Sequence, residues 1–233
     1  MSKLPWAGRI AALASLGDAT RRKLFSFVAS AAAPVSRNDA AQSLDLPRST
    51  ASFHLDRMVL DGLLAVEFKK LGGREGPGSG RPAKLYKAAI QEVAASVPER
   101  NYDLAAELLV SAVEESASGS IPVREALVRS ARARGQAAAG GAEGPEAFAE
   151  LLAAEGYRPE DDGAGGLVLL NCPFHRIAAG HTEVVCAMNG AFLGGAAEGC
   201  GLGSDCVEAL AVEELRKSGA VLPGQCCARI RPL

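Results

Sequence analysis

The sequence predicts an α+β fold that changes character along its 233 residues. A helical, basic first part gives way to a mixed helix-and-strand last part. Three observations predict it. Two short helices separated by a tight turn precede two alternating stretches around a Gly/Pro/Ser-rich centre. Apolar residues then recur at helical spacing in ERNYDLAAELLVSAVEES. Finally, short apolar strands mix with helices in the last part, which holds all six cysteines, between Cys172 and Cys227.

The 48 % hydrophobic and 22 % charged content are those of an ordinary soluble globular protein. No uninterrupted apolar run reaches membrane-spanning length, so no membrane partner is expected. The start, MSKLPWAGRI, has no extended apolar core before a small-residue cleavage site, which predicts a cytoplasmic protein with reduced thiols. The formal charge of −2 hides an asymmetry. Residues 1–95 carry 14 Lys+Arg against 8 Asp+Glu, leaving 11 basic and 19 acidic residues for 96–233. A basic first third suggests that this part meets a polyanion.

LPWAGRIAALASLG reads as a short amphipathic helix stopped by Gly17. Asp18 is a good N-cap for DATRRKLFSFVASA, where Leu24, Phe25 and Val28 share a face. Pro34 breaks that helix, and Ser36 caps the next, SRNDAAQSL. In LPRSTASFHLDRMVLDGLL, Ala51, Leu55, Met58 and Val59 stand at helical spacing and Gly62 closes the helix. Two such helices make a helix-turn-helix. Alternation in AVEF and AKLYKA marks two strands joined by a Gly/Pro/Ser-rich loop, which is a wing.

If Ala51, Leu55 and Met58 face inward, the opposite face carries Ser49, Thr50, Ser52, Phe53, His54 and Arg57, with Arg48 at the N-terminal end. A helix in the major groove needs short donors near its N-terminus and a positive charge further along. In the wing, Arg74, Arg81, Lys84 and Lys87 suit phosphates or the minor groove. Phe53 either touches a thymine methyl group or folds back into the core. His54 reads as a phosphate contact rather than a metal ligand. Ordinary solvated charges on a domain used for protein contacts are the competing reading. Over roughly residues 6–95, ASLGDATRRKLF, LPRSTASFHLDRMVLDGLL and GRPAKLYK resemble winged-helix regulators of the ArsR-like superfamily. The resemblance implies double-stranded operator DNA as partner.

Residues 96–140 are expected to form a helical linker or dimerisation region. Tyr102, Leu104, Leu108, Leu109 and Val113 form a stripe on one long helix, for which a second copy of the chain is a reasonable partner. VREALVRSARARG is a further helix, and QAAAGGAEG reads as a flexible linker, with a boundary near residue 140. In 141–233, PEAFAELLAAEG is a helix, GGLVLLNC a buried strand, HTEVVCAMNGAFLGG a helix and QCCARIR a closing strand. LAVEELRK suits either helix or strand, with a hairpin turning at Leu222-Pro223-Gly224 the preferred reading.

The clustered cysteines ask for a local chemical reason. Their spacing, Cys172-x13-Cys186, Cys200-x5-Cys206 and the adjacent Cys226-Cys227, is not that of a zinc ribbon. Thiolates from separate elements make a site only when the whole domain folds, and suit an iron–sulfur cluster. On a strand, Cys226 shares a face with Ala228 and Ile230, so Cys226 is expected to point inward and Cys227 towards solvent. Cys200 and Cys206 flank GCGLGSDC and approach the site if that loop folds over. His175 and His181 are candidates for a mixed Cys/His site; His181 and Thr182 equally suit a helix start.

N-C-P-F, H-x-E-x-V-C and the terminal C-C-A-R-I, together with the PERNYDLAAELL helix, resemble the SufR-like repressors of iron–sulfur cluster biogenesis. That resemblance implies a homodimer in which Cys172, Cys186 and Cys226 hold a cluster, of 4Fe-4S type, whose presence favours operator binding. Cys227 duplicates the last position, and Cys200 and Cys206 are additional to the pattern. Zinc, or a metal-free thiol switch, is the alternative. An enzyme is not expected: there is no phosphate loop, nucleophile elbow or suggestive carboxylate pair.

Overall fold

Local signals set the helix ends of the first part of the chain. In the structure, a computed structural model describing residues 4–69, 82–119, 121–210, 222 and 224–232, two units are distinguished, Met1–Ala95 and Ser96–Leu233. The first contains α1 (Trp6–Ser15), α2 (Ala19–Ser30), β1 (Val35–Ser36), α3 (Arg37–Ser43), α4 (Arg48–Leu60), β2 (Leu64–Lys69) and β3 (Ala83–Ala88). Asp18 caps α2 by accepting from Arg21 N at 2.9 Å. Ser36 and Asp39 form a reciprocal capping box on α3, each side chain accepting from the other's backbone N–H. Past Asp61, Gly62 takes φ 75°, a left-handed turn that ends α4 and launches β2.

The strands form an antiparallel sheet in the order β1-β3-β2, the arrangement of a winged helix-turn-helix. Ala51, Leu55 and Met58 are all fully buried beside Leu24, Leu63 and Tyr86, as the helical spacing of α4 requires. Each buried Leu or Met contributes about 1.5–3 kcal/mol relative to an exposed one.

The second unit contains α5 (Tyr102–Gly119), α6 (Val123–Ala138), α7 (Pro145–Ala154), β4 (Pro159–Asp161), β5 (Leu167–Leu169), α8 (His175–Ala178), α9 (Thr182–Gly199), β6 (Val207–Ala209) and β7 (Ala228–Ile230). Its sheet is antiparallel in the order β4-β5-β7-β6. Leu104, Leu108 and Leu127 share one core with Phe148, Phe174, Phe192 and Ile230, so residues 96–140 and 141–233 pack together. The stretch expected as a flexible linker is a short turn. Helix α6 runs on to Ala138, Ala139 is buried, and Gly144 N donates to Cys200 O at 2.9 Å.

Helices α6 and α9 touch backbone to backbone. A Cβ on Gly195 would stand 2.0 Å from Arg132 O, and one on Gly135 2.1 Å from Phe192 O. Arg132 and Gln136 of α6 both bind the Glu198 carboxylate of α9 at the edge of this contact.

Several expectations shift. On α5 the buried residues are Leu104, Ala105, Leu108 and Ala112, whereas Leu109 and Val113 are exposed. Small alanines, invisible to a search for large apolar residues, set the face that packs. Cys226 and Cys227 precede β7 instead of lying on it. Strands β4 and β6 and helix α8 are additional elements. Residues 211–221, with Pro223 of the expected turn, lie outside the described residues.

Candidate functional site

Helix α4 begins at Arg48 after Pro47, with no side chain capping its N-terminus. Its first backbone N–H groups are therefore free to meet an anion. Arg48 and Ser49 are exposed beside them, and Thr50 and Ser52 are half-buried. Phe53 is 66 % exposed and meets the edge of the His54 ring at 5.3 Å, so it projects outward and does not fold into the core. The His54 Nδ1 is shielded and unpartnered, which leaves only Nε2 for a phosphate.

Five other cations of this unit, Arg21, Arg22, Arg57, Lys84 and Lys87, are engaged within it. Arg57 pairs with Asp61 at 3.1 Å, one turn on. Asp56 takes Lys84 Nζ at 2.5 Å and the Tyr86 hydroxyl at 2.7 Å, tying α4 to β3. Burial pushes the Asp56 pKa up, but the Lys84 and Tyr86 donors outweigh it and hold it below its usual value. Lys87 pairs with Glu67 at 3.3 Å on the exposed face of the hairpin. Arg21 and Arg22 bind carbonyls at the end of α1. Arg74 and Arg81 lie outside the described residues.

The thiols occupy the second unit, and four of them converge. Cys172 N donates to Gly224 O and Cys226 N donates to Leu169 O, both at 2.9 Å. These two bonds extend the β5 edge and bring Cys226 against Cys172, sulfur to sulfur. Cys227 turns the other way, and its Sγ lies 2.8 Å from Cys186 Sγ in the second turn of α9. Cys227 is thus half-buried against a partner, not pointed at solvent: ahead of β7 the strict alternation of a strand does not apply. Cys172 and Cys226 are buried, while Cys186 and Cys227 are partly exposed.

Protons are shared unevenly along this chain of sulfurs. The Cys226 thiol, the Phe174 N–H and the Arg100 charge together lower the Cys172 pKa against its burial. Hydrogen bonding with Cys186 and Cys226 holds the Cys227 pKa down, and both of them are correspondingly pushed up. These shifts bias Cys172 and Cys227 towards the thiolate and Cys186 and Cys226 towards the thiol.

The site has a polar underside absent from the sequence reading. Asn189, 1 % exposed, donates from Nδ2 to Cys226 Sγ at 3.2 Å and accepts from the Tyr157 hydroxyl at 2.5 Å. Burial above all drives the Tyr157 pKa far up, so its hydroxyl stays a donor. Asn171 donates to Glu99 O and Gly156 O at 2.8 and 2.6 Å and accepts from Arg100, which also reaches Cys172 O. A lone Asn in the apolar run AMNGAFLGG is the signal that could have found Asn189.

Cys200 and Cys206 are buried core thiols whose pKa values rise through burial, and they do not join the patch. His175 and His181 are exposed, and neither imidazole touches a thiol; His175 N–H donates to Cys172 O at 3.1 Å. Among the described residues no three or more His, Cys, Asp or Glu side chains are spaced to hold a metal ion. Two thiolates on a tetrahedral zinc stand about 3.8 Å apart, given Zn–S bonds of about 2.3 Å. The donor set suits a soft metal, and its sulfurs must part to take one.

Residues 16–67 match the helix-turn-helix domain family. The match covers α2 to β2 of the first unit and supports an ArsR-like DNA-binding transcriptional regulator, a class that is typically non-enzymatic. No curated protein matches the chain. Among the described residues no helix is long and apolar enough to cross a membrane.

Proposed function

We propose that the protein is a SufR-like transcriptional repressor whose affinity for operator DNA is controlled by an iron–sulfur cluster in the second unit. Cys172, Cys186 and Cys226 are the ligands, with Cys227 a fourth thiol within reach. The carrying observation is the convergence of these sulfurs from distant chain segments in a protein that begins with a helix-turn-helix. A cluster held there supplies a redox-labile centre whose charge and stability depend on its hydrogen bonds. The chain's own part is to present thiolates, which Phe174 N–H and Arg100 favour at Cys172. Asn189 orients Cys226.

The protein acts as a homodimer in this reading. Leu109, Val110 and Val113, exposed along one side of α5, offer an apolar face for self-association. Zinc is the second reading, favoured by the count of four neighbouring thiols.

Anaerobic purification followed by a visible spectrum and by iron, sulfide and zinc analysis tests the proposal. A brown protein with matching iron and sulfide is expected. Colourless protein with stoichiometric zinc would overturn it in favour of the second reading. Cys172→Ser should abolish the chromophore and change binding to a duplex carrying the protein's own promoter region. Sedimentation at several concentrations reads the dimer.

A further inference from the structure

Four neighbouring sulfurs could pair in several ways, and their surroundings distinguish them. Cys186 and Cys227 Sγ atoms are 2.8 Å apart, within about 0.8 Å of a disulfide bond length of about 2.05 Å. Both side chains are partly exposed. Cys186 lies near the exposed end of α9, where Thr182, Glu183 and Val184 face solvent and the cross-element ties are a surface ion pair, Arg124–Glu183, and the Thr182 hydroxyl bond to Ala178 O. Cys172 and Cys226 are also in contact, but both are buried, and Cys226 is held by the Asn189 amide. A link between the sequence neighbours Cys226 and Cys227 would close a small, strained ring. Cys200 and Cys206 are buried in the same core, but no other thiol acts on either of them.

We propose that Cys186 and Cys227 are a reversible oxidation site, forming a disulfide in the presence of a hydroperoxide. One sulfur of the pair attacks the peroxide, the O–O bond breaks, and the sulfur becomes a sulfenic acid while water or an alcohol leaves. The second sulfur attacks the sulfenic sulfur; the S–O bond breaks, the S–S bond forms, and a second water leaves. Two thiols lose two electrons and two protons, and the peroxide takes them up. A dithiol reductant reverses the step by thiol–disulfide exchange. The proposal rests on reading the patch as the sensing site. It adds that oxidation removes two of the four thiols, so the disulfide and a bound metal exclude one another.

The test uses the full chain, stripped of metal under anaerobic conditions by a chelator, treated with hydrogen peroxide and then alkylated. Thiols counted after denaturation should fall from the six of the reduced chain to four. Cleavage after glutamate places Cys186 alone in residues 184–198 and Cys226-Cys227 in residues 215–233. The expected product is these two peptides linked, with the mass of two hydrogens lost, and fragmentation between Cys226 and Cys227 assigning the bond to Cys227. Cys227→Ser and Cys186→Ser should each reduce the link to background, while Cys226→Ser should retain it. A link mapped to Cys172, Cys200, Cys206 or Cys226, or no link at all, overturns the proposal. The unmodified chain decides this by itself if a variant fails to fold. Protein that carries neither iron nor zinc as purified, yet forms the link, overturns the cluster reading alone. Iron-bearing protein whose stripped thiols do not link overturns only the disulfide.

Discussion

The two units handle their reactive side chains in opposite ways. In Met1–Ala95 most charges are matched by partners nearby: Arg57 by Asp61, Lys84 by Asp56, Lys87 by Glu67, and Arg21 and Arg22 by the carbonyls ending α1. Among the groups left exposed is the start of one helix, Arg48 and Ser49, with Phe53 one turn on. In Ser96–Leu233 the reactive groups come from residues 172, 186, 226 and 227 and meet at the edge of a core, each with another sulfur for neighbour. A surface built on one helix depends on that helix alone. A site assembled from distant segments depends on every packing contact that brings them together.

The most severe way to break this contrast is Gly195→Ala. Its methyl would strike the α6 backbone at Arg132 O, and overpacking against a backbone that cannot yield costs about 3 kcal/mol. Urea denaturation of the full chain should show the loss, with the thiols becoming reactive together. Unchanged stability would mean that the helix contact is not what holds the site.

Asn189→Leu comes next. It strands the Tyr157 hydroxyl and removes the donor to Cys226, at a cost of about 2 kcal/mol. A lower melting temperature and faster alkylation of Cys226 are expected; neither changing would remove Asn189 from the site.

In the first unit the effects should be confined to DNA. Arg48→Ala should weaken duplex binding about tenfold and reduce the salt slope by about 1, with no change in melting. Phe53→Ala should alter sequence preference more than salt slope, read by anisotropy across a set of duplexes. A salt slope unaffected by Arg48→Ala would take that residue off the phosphate path.

The smallest effect is a pH dependence. The folded-state pKa of Asp56 is lowered from 3.8, so its ion pair with Lys84 stabilises the unit above that value. The contribution is lost as pH falls through the lowered pKa. Asp56→Asn should therefore cost stability at neutral pH and cost nothing in strong acid. Solvent screening of this half-exposed pair keeps the difference under about 1 kcal/mol. Denaturation curves that stay apart in acid would contradict the assignment.

Legibility in the sequence followed the same division. Asp18, Ser36 and Gly62 act on residues a few positions away, so helix ends in the first unit follow from local chemistry. The inward face of α4 follows from a period of 3.6. In the second unit, spacing alone does not separate Cys172, which meets Cys226, from Cys200, which lies in the core. That difference is made by backbone bonds between segments over fifty residues apart, Cys172 to Gly224 and Leu169 to Cys226. Cys227 was misplaced for a related reason: it lies one residue before β7, where the chain still turns. The pairing of Lys84, expected on phosphates or in the minor groove, with Asp56 is not legible in the sequence, because contact across 28 positions leaves no periodic trace.

Helix α9 carries Cys186 near one end and the glycine contact with α6 towards the other. Its far half is clamped, because bare backbone seated on bare backbone allows neither sliding nor rolling. Its near end, from Thr182 to Val184, is exposed and held more lightly, by the Arg124–Glu183 ion pair at 2.6 Å and by the Thr182 hydroxyl donating to Ala178 O at 3.1 Å. Whatever draws the sulfurs together or forces them apart must therefore act as on a cantilever, bending or unwinding the first turn while the root stays fixed. The thiol patch sits at the lightly held end of that beam.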